Sequence, residues 1–436
     1  MKEAAAARRA ALEVLRAVRR GDLADRALVP ALNGLLPRDR PLTQELVYGV
    51  LRLRGRLDHA LARHASRPLG RVDADVLDAL RLGAYQLMEL DGVPAYAAVS
   101  ESVELVKQSS PRAAGFANAV LQSLQRERTS LTFPPLASEP RAHLTSWGSH
   151  PEWLVERWLA RFGAEESAAL VAADNARPDL YLRLLAADGP ERLLAAGIVA
   201  EPHPLARDVV RLAAATDLAA ALATVPAVVQ DPAAALVVQY ADTPAGALVA
   251  DLCAAPGGKA LALAAGARYT IAADLSAGRL TRLRENLERV RSLAVRLDVG
   301  LLVSDGRAPA VRAADVVLLD VPCTGTGTFR RHPDGRWRLQ PRDLSLLVAL
   351  QRELLAAAQQ VVRPGGLLIY STCSLEPEEN EAQVEWFLNV NPDYSPAPTA
   401  AAPAAVRDGP WLRVLPQRHG ADGAFAARLE RRADAR

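Results

Sequence analysis

The chain has 436 residues, half of them apolar and 23% charged, with a formal net charge of +2. That is the composition of a globular protein of about three domains, and it excludes a disordered one. Its three cysteines, Cys253, Cys323 and Cys373, lie 70 and 50 residues apart with no C-x-x-C pair. They exclude a disulfide scaffold and argue against a structural zinc site, so no metal is expected.

Only Lys2, Lys107 and Lys259 are lysines, and the other 49 basic side chains are arginines. In such an arginine-biased chain a retained lysine is informative. No stretch reaches the ~18 apolar residues of a membrane span. The start, Met1-Lys2-Glu3 followed by Ala and Arg, lacks the apolar core of a signal peptide, and Glu3, Glu13 and the Leu/Val spacing fit a folded helix. The expectation is a soluble, cytoplasmic protein with no membrane partner.

Charge is uneven along the chain. Residues 1–71 carry 15 Lys/Arg against 7 Asp/Glu, a footprint for an anionic partner such as nucleic acid. Residues 1–128 read as helices. Val14, Leu15 and Val18 form one stripe, and Leu46, Val50 and Leu53 a second. Val76, Leu77, Leu80, Ala84 and Leu87 form a third, Tyr96, Val99, Val103 and Val106 a fourth, and Phe116, Val120 and Leu124 a fifth. Turns near Gly21, Pro37, Pro68-Leu69-Gly70 and Pro94 would fold them into a small bundle. Residues 129–150 lack periodicity and read as a linker. A helix over 151–173 and strand-like runs at 180–185, 209–212 and 227–230 make a small α+β module. From about 233, strands at 247–252, 269–274, 300–304, 316–321 and 367–372 alternate with helices at 277–293 and 344–362. That pattern predicts an α/β domain on a parallel sheet. Residues 394–405 read as a loop, followed by short strands at 411–415 and 424–429. The predicted domains are 1–130, 150–232 and 233–436.

Ligands of an open parallel sheet bind at the carboxyl ends of its strands. The first strand there runs into Asp251-Leu252-Cys253-Ala254-Ala255-Pro256-Gly257-Gly258-Lys259. The Gly-Gly pair allows close backbone approach, and the following helix start favours a carboxylate or other anion. G-x-G-x-x-G is absent. A P-loop fails at Cys253 and Ala260, where it needs Gly and Ser/Thr. Asp274 ends the second strand, where a carboxylate can hold ribose hydroxyls, and Asp305 ends the third, within reach of an adenine edge. With Asp320 on the fourth, three aspartates converge on one cleft. A nucleoside cofactor without a pyrophosphate fits, namely S-adenosylmethionine.

Asp320 opens Asp320-Val321-Pro322-Cys323-Thr324-Gly325-Thr326-Gly327, and the fifth strand ends Tyr370-Ser371-Thr372-Cys373-Ser374. Two thiols therefore leave strand ends beside the cofactor loop. C5 of a pyrimidine is a poor nucleophile, but thiolate addition at C6 makes it enamine-like and able to attack an electrophilic methyl group. Asp320 suits N3/N4 of cytosine, and a second cysteine can assist release of the first. Arg330, Arg331, Arg336 and Arg338, with Phe329 and Trp337 among them, suit phosphate contacts and base stacking on RNA.

DLCAAPGGK (251–259), DVPCTGTG (320–327), YSTCS (370–374), RRHPD (330–334) and EPEEN (376–380) resemble the Sun/Fmu type of RNA cytosine-C5 methyltransferase, over essentially the whole chain. The N-terminal bundle resembles the NusB antitermination domain, and that pairing is similar to the RsmB family acting on 16S ribosomal RNA. The resemblance implies an all-α RNA-binding domain and a Rossmann-like S-adenosylmethionine-dependent domain. It implies that Cys373 is the nucleophile, that Cys323 assists release, and that Cys253–Lys259, Asp274, Asp305 and Asp320 line the cofactor pocket, with Arg279 a weaker member. DNA cytosine methyltransferases use the P-C cysteine instead. The chain departs from the family at Val321, Thr324, Ala235, Ala260 and Ala424. The expected enzyme is monomeric and methylates 16S rRNA. The alternatives are a transfer RNA substrate, or an RNA-binding antitermination factor without catalysis.

Overall fold

A computed structural model of the protein describes residues 4–434; Met1–Glu3, with Lys2 and the Glu3 assigned to the first helix, lie outside the described residues. The chain forms two compact units, residues 1–176 with 329–339, and residues 177–328 with 340–436. Among the described residues no helix is long and apolar enough to cross a membrane.

The first unit is helical. Ala4–Arg19, Ala24–Asn33, Arg40–Ala62, Ala74–Glu89, Ala95–Ser109 and Ala114–Glu127 are its helices up to residue 128. Val14, Leu15, Val18, Leu46, Val50, Val76, Leu80, Val99, Val106, Val120 and Leu124 meet in one core, as the 3.6-residue spacing requires. Tyr96 departs from its stripe and stands 73% exposed. Helices approach closely at Gly49, where a Cβ would lie 2.0 Å from the Tyr85 ring, so only glycine fits. Asp73 caps its helix by accepting from the amides of Asp75 and Val76 at 3.0 and 3.2 Å.

The stretch 129–150 is not a free linker. It carries a helix, Pro140–Ser146, and the Gly55 amide donates to Ser149 Oγ at 2.8 Å. The next helix, Glu152–Asn175, packs within this unit. Trp158 explains why: it is 1% exposed and packs on His150 and Phe329.

The second unit holds two sheets. Strands β1 (Tyr181–Leu184), β2 (Ala200–Pro202), β3 (Val209–Leu212) and β4 (Ala227–Val229) form an antiparallel sheet in the order β2-β3-β1-β4. Of these only β2 escapes the sequence pattern; it spans three residues ending in Pro202. The larger sheet contains β5 (Leu248–Asp251), β6 (Tyr269–Asp274), β7 (Val299–Val303), β8 (Ala314–Asp320), β9 (Val362–Thr372), β10 (Tyr394–Pro396), β11 (Arg407–Asp408), β12 (Trp411–Val414) and β13 (Ala424–Arg431). Its main order is β11-β12-β13-β9-β8-β5-β6-β7, with β10 paired to β13. Strands β5 to β9 pair in parallel; β9 through β13 to β11 pair antiparallel. Apart from the edge strand β7, whose Val303 is exposed, the parallel strands are near-continuous apolar runs buried on both faces. The chain reverses direction across the sheet between β5 and β8, which opens a crevice at their carboxyl ends.

Candidate active site

The loop after β5 carries the first predicted cluster. Gly257 has φ +108°, and a Cβ there would lie 2.4 Å from Leu283, while one on Gly258 would meet Gln230 at 2.7 Å. The second helical residue, Lys259, sends its ammonium across the crevice to Asp320 Oδ2 at 2.8 Å. Burial works to lower the Lys259 pKa, but Asp320 and the nearby Cys373 outweigh it and raise the value. Asp274 at the end of β6 accepts from the amides of Ala255 and Ser276 at 3.1 and 2.9 Å. Arg279 donates to the Ala255 carbonyl and lies 3.7 Å from Asp274, so it braces this loop. Asp305 faces Arg307, whose hydrogen bonds hold it below the usual carboxylate range. Its neighbour Gly306 abuts the first loop, since a Cβ there would lie 3.9 Å from Cys253 Sγ.

Carboxylates outnumber cations here. Burial and the charge of Asp320 push Asp251 up to about 8 despite Lys259. Burial, with Asp251, Asp320 and Asp274 nearby, also pushes the Cys253 thiol up. A thiol in these surroundings stays protonated.

The two remaining cysteines leave neighbouring strands. Parallel β8 and β9 place Asp320 opposite Ser371, and Ser371 Oγ donates to Asp320 Oδ1 at 2.7 Å. Beyond those ends Cys323 Sγ lies 3.3 Å from Cys373 Sγ. The Cys373 hydrogen bond, burial and the Glu379 charge push the Cys323 thiol well up. The Gly327 amide donates to the Cys373 carbonyl at 3.0 Å, which clips one loop to the other.

The arginines after the P-C motif do not form the exposed RNA-binding cluster expected from the sequence. They sit in the helical unit, and Arg336 is fully buried. It donates to the carbonyls of Arg52, Ser149, Asp174 and Phe329 and to Asn175 Oδ1. A guanidinium so enclosed cannot meet a phosphate. Arg330 is 7% exposed and Phe329 1%. Trp337 spends its indole N–H on the Leu51 carbonyl. Arg331 is half-buried, and Arg338 is exposed and paired with Asp334 at 3.0 Å. The sequence reading missed Ser371, Gln351 and Glu379. Ser371 and Glu379 were visible inside the YSTCS and EPEEN runs, whereas Gln351 lies in an amphipathic helix without a signal.

Residues 238–430 match the family model described as 16S rRNA methyltransferase RsmB/F. Residues 5–126 match the NusB family and 150–219 the ferredoxin-like domain of RsmF/B-like methyltransferases. The ribosomal RNA small subunit methyltransferase B of Pseudomonas putida is 38% identical over 438 residues, covering 97% of this chain and 98% of that one. The crystal structure of PH0851 superposes with a TM-score of 0.79 at 25% identity, covering 98% of this chain and 99% of that one. A methyltransferase homolog from Pyrococcus horikoshii gives a TM-score of 0.56 at 27% identity, over 67% of this chain and 99% of that one. With relatedness of this degree running from end to end, the chain belongs to the RsmB/F family of 16S rRNA methyltransferases.

Proposed function

We propose that this rRNA methyltransferase modifies C5 of a cytosine in 16S rRNA, acting as a cytoplasmic monomer, with Cys373 as nucleophile and Cys323 assisting release. The observation that carries the reading is the 3.3 Å approach of the two thiols beside the Lys259–Asp320 pair.

The cofactor is S-adenosylmethionine, which when bound supplies an electrophilic methyl group. The residues fit it: the surplus of carboxylate at buried Asp251 and Asp274 and half-buried Asp320 suits a ligand bearing a sulfonium and an ammonium group. The backbone of 254–258 and Asp274 would hold it, with Arg279 bracing the loop.

The steps assigned to this chain's residues begin with the Cys373 thiolate, which adds to C6 of the cytosine. Asp320, held by Lys259 and Ser371, hydrogen-bonds the N3/N4 edge where charge develops. After methyl transfer the C5 proton passes to water and its electron pair closes the C5=C6 bond. The C6–S bond breaks, and Cys373 departs as thiolate, stabilised by a hydrogen bond from the Cys323 thiol. Arg331 and Arg338 are the members of the arginine run that remain suited to RNA contact.

Cys373→Ala is expected to abolish methyl transfer, and Cys323→Ala to trap a covalent RNA–protein adduct on a denaturing gel. Normal turnover in the first variant, or absence of an adduct with unchanged turnover in the second, overturns the assignment. Bisulfite sequencing of ribosomal and transfer RNA from a strain lacking the protein identifies the substrate.

A further inference from the structure

Glu379 lies in the short turn Pro377–Glu379 and is fully buried. Among the described residues no salt bridge reaches it, so it is a buried carboxyl without a counter-ion. Isolated buried charge is costly, and this one is met by hydrogen bonds alone. The Thr324 amide donates to Oε1 at 2.9 Å, and the Thr324 hydroxyl donates to Oε2. Gln351 Nε2 donates to Oε1 at 2.9 Å. The same Gln351 amide donates to the Pro322 carbonyl at 3.0 Å. Glu379 and Gln351 thus hold the residues on either side of Cys323.

The same turn grips the other cysteine's strand. Tyr370 donates its hydroxyl to the Glu379 carbonyl at 2.6 Å. The next residue, Asn380, accepts from the Thr372 hydroxyl at 2.5 Å and donates to the Ser374 carbonyl at 2.9 Å. The turn and the residue that follows it therefore fix the loops of Cys323 and Cys373 to each other.

We infer that Glu379 is a positioning residue for the release step, holding the Cys323 thiol against the sulfur of Cys373 as that sulfur departs. The inference rests on the cysteine mechanism proposed above. Glu379 touches no reacting atom. Its charge also faces Cys323 and Tyr370, favouring the protonated form of each, so that Cys323 remains a hydrogen-bond donor and does not compete as a nucleophile.

The test compares the first turnover with the steady state in the full-length chain with 16S rRNA and S-adenosylmethionine. Glu379→Gln keeps the size of the side chain but turns an amide N–H₂ towards groups that donate. Steady-state turnover is expected to fall by about tenfold or more, the scale of one lost charge-assisted hydrogen bond. The first-turnover methylation rate is expected to stay within about threefold, and the covalent adduct to accumulate. Equal losses in both rates, or no accumulation of adduct, overturn the inference. Should Glu379→Gln fail to fold, Thr324→Val removes the facing hydroxyl and should trap adduct, while Thr324→Ser, which keeps it, should restore release; equal behaviour of the two overturns the inference. Cys323→Ala run in parallel separates the two readings. If it traps adduct and Glu379→Gln does not, only the role of Glu379 falls; if neither traps adduct, the cysteine mechanism falls with it.

Discussion

Lys259 shows how one side chain sets the electrostatics of the crevice. Arginine is the default cation of this protein, yet a lysine stands where a compact charge must enter a narrow space beside Asp320. An arginine's planar fork demands more room and more acceptors. Lys259→Met is expected to lower methyl transfer at least about tenfold, by leaving Asp320 without its ion-pair partner. Lys259→Arg should restore little of it. Initial rates and calorimetric cofactor binding check both. Removing the ammonium also pushes Asp251 further above its value of about 8. At this scale the sequence was informative: Asp251, Lys259, Asp274, Asp320 and both cysteines follow from strand ends and motif spacing. The roles of Ser371, which stands inside the YSTCS run, and of Gln351 did not, because their partners depend on the β8–β9 register and on a helix face that only tertiary packing selects.

The element Phe329–Leu339 teaches the opposite lesson. Its arginines and aromatics stand next to the P-C motif in sequence, and that proximity pointed to RNA. Folding instead uses them as core. Arg336→Ala would strip a donor from four main-chain carbonyls and is expected to destabilise the helical unit by roughly 3–5 kcal/mol, measurable by chemical denaturation.

A second buried pair lies beside it. His150 Nδ1 is 2.8 Å from the Gly148 carbonyl, so its proton points there, and Nε2 is left to accept from Asp174 Oδ2 at 3.3 Å. Asp174 must then carry a proton. Burial accounts for both halves, pushing Asp174 up to about 7 and His150 well below its ordinary 6.5. Between about pH 4 and 6.5 the folded pair holds one proton, on Asp174, and the unfolded pair also holds one, on His150. The two linkages cancel. Asp174→Asn removes one side of the balance. The unfolded histidine then takes up a proton below pH 6.5 that the folded one refuses. Stability of the variant relative to the native chain is expected to fall by about 1.4 kcal/mol per pH unit as pH drops below 6.5. Denaturation curves at pH 7.5 and 5 read this directly; a constant gap rules it out.

For the whole molecule, element types were legible because long periodic helices and apolar parallel strands carry strong patterns. The division into units was not, because 329–339 crosses from one half of the sequence to the other unit. Deleting residues 1–130, an obvious way to separate RNA binding from methyl transfer, would remove the Arg52 and Leu51 carbonyls to which Arg336 and Trp337 donate. The truncated chain is expected to aggregate or lose its cooperative melt, as light scattering and calorimetry would report. A truncated chain that stays monomeric and melts cooperatively would show instead that these residues are not needed as core.

The same crossing sets an order of events during synthesis. Residues 1–176 emerge first, yet their core lacks Phe329 and Arg336 until about 160 further residues have been made. At the usual pace of translation that is roughly 10–30 s. Over that interval the helical unit waits incomplete, and its closure coincides with emergence of the Cys323 loop that immediately precedes the missing piece. Completion of the front of the protein is thereby timed by the making of its back.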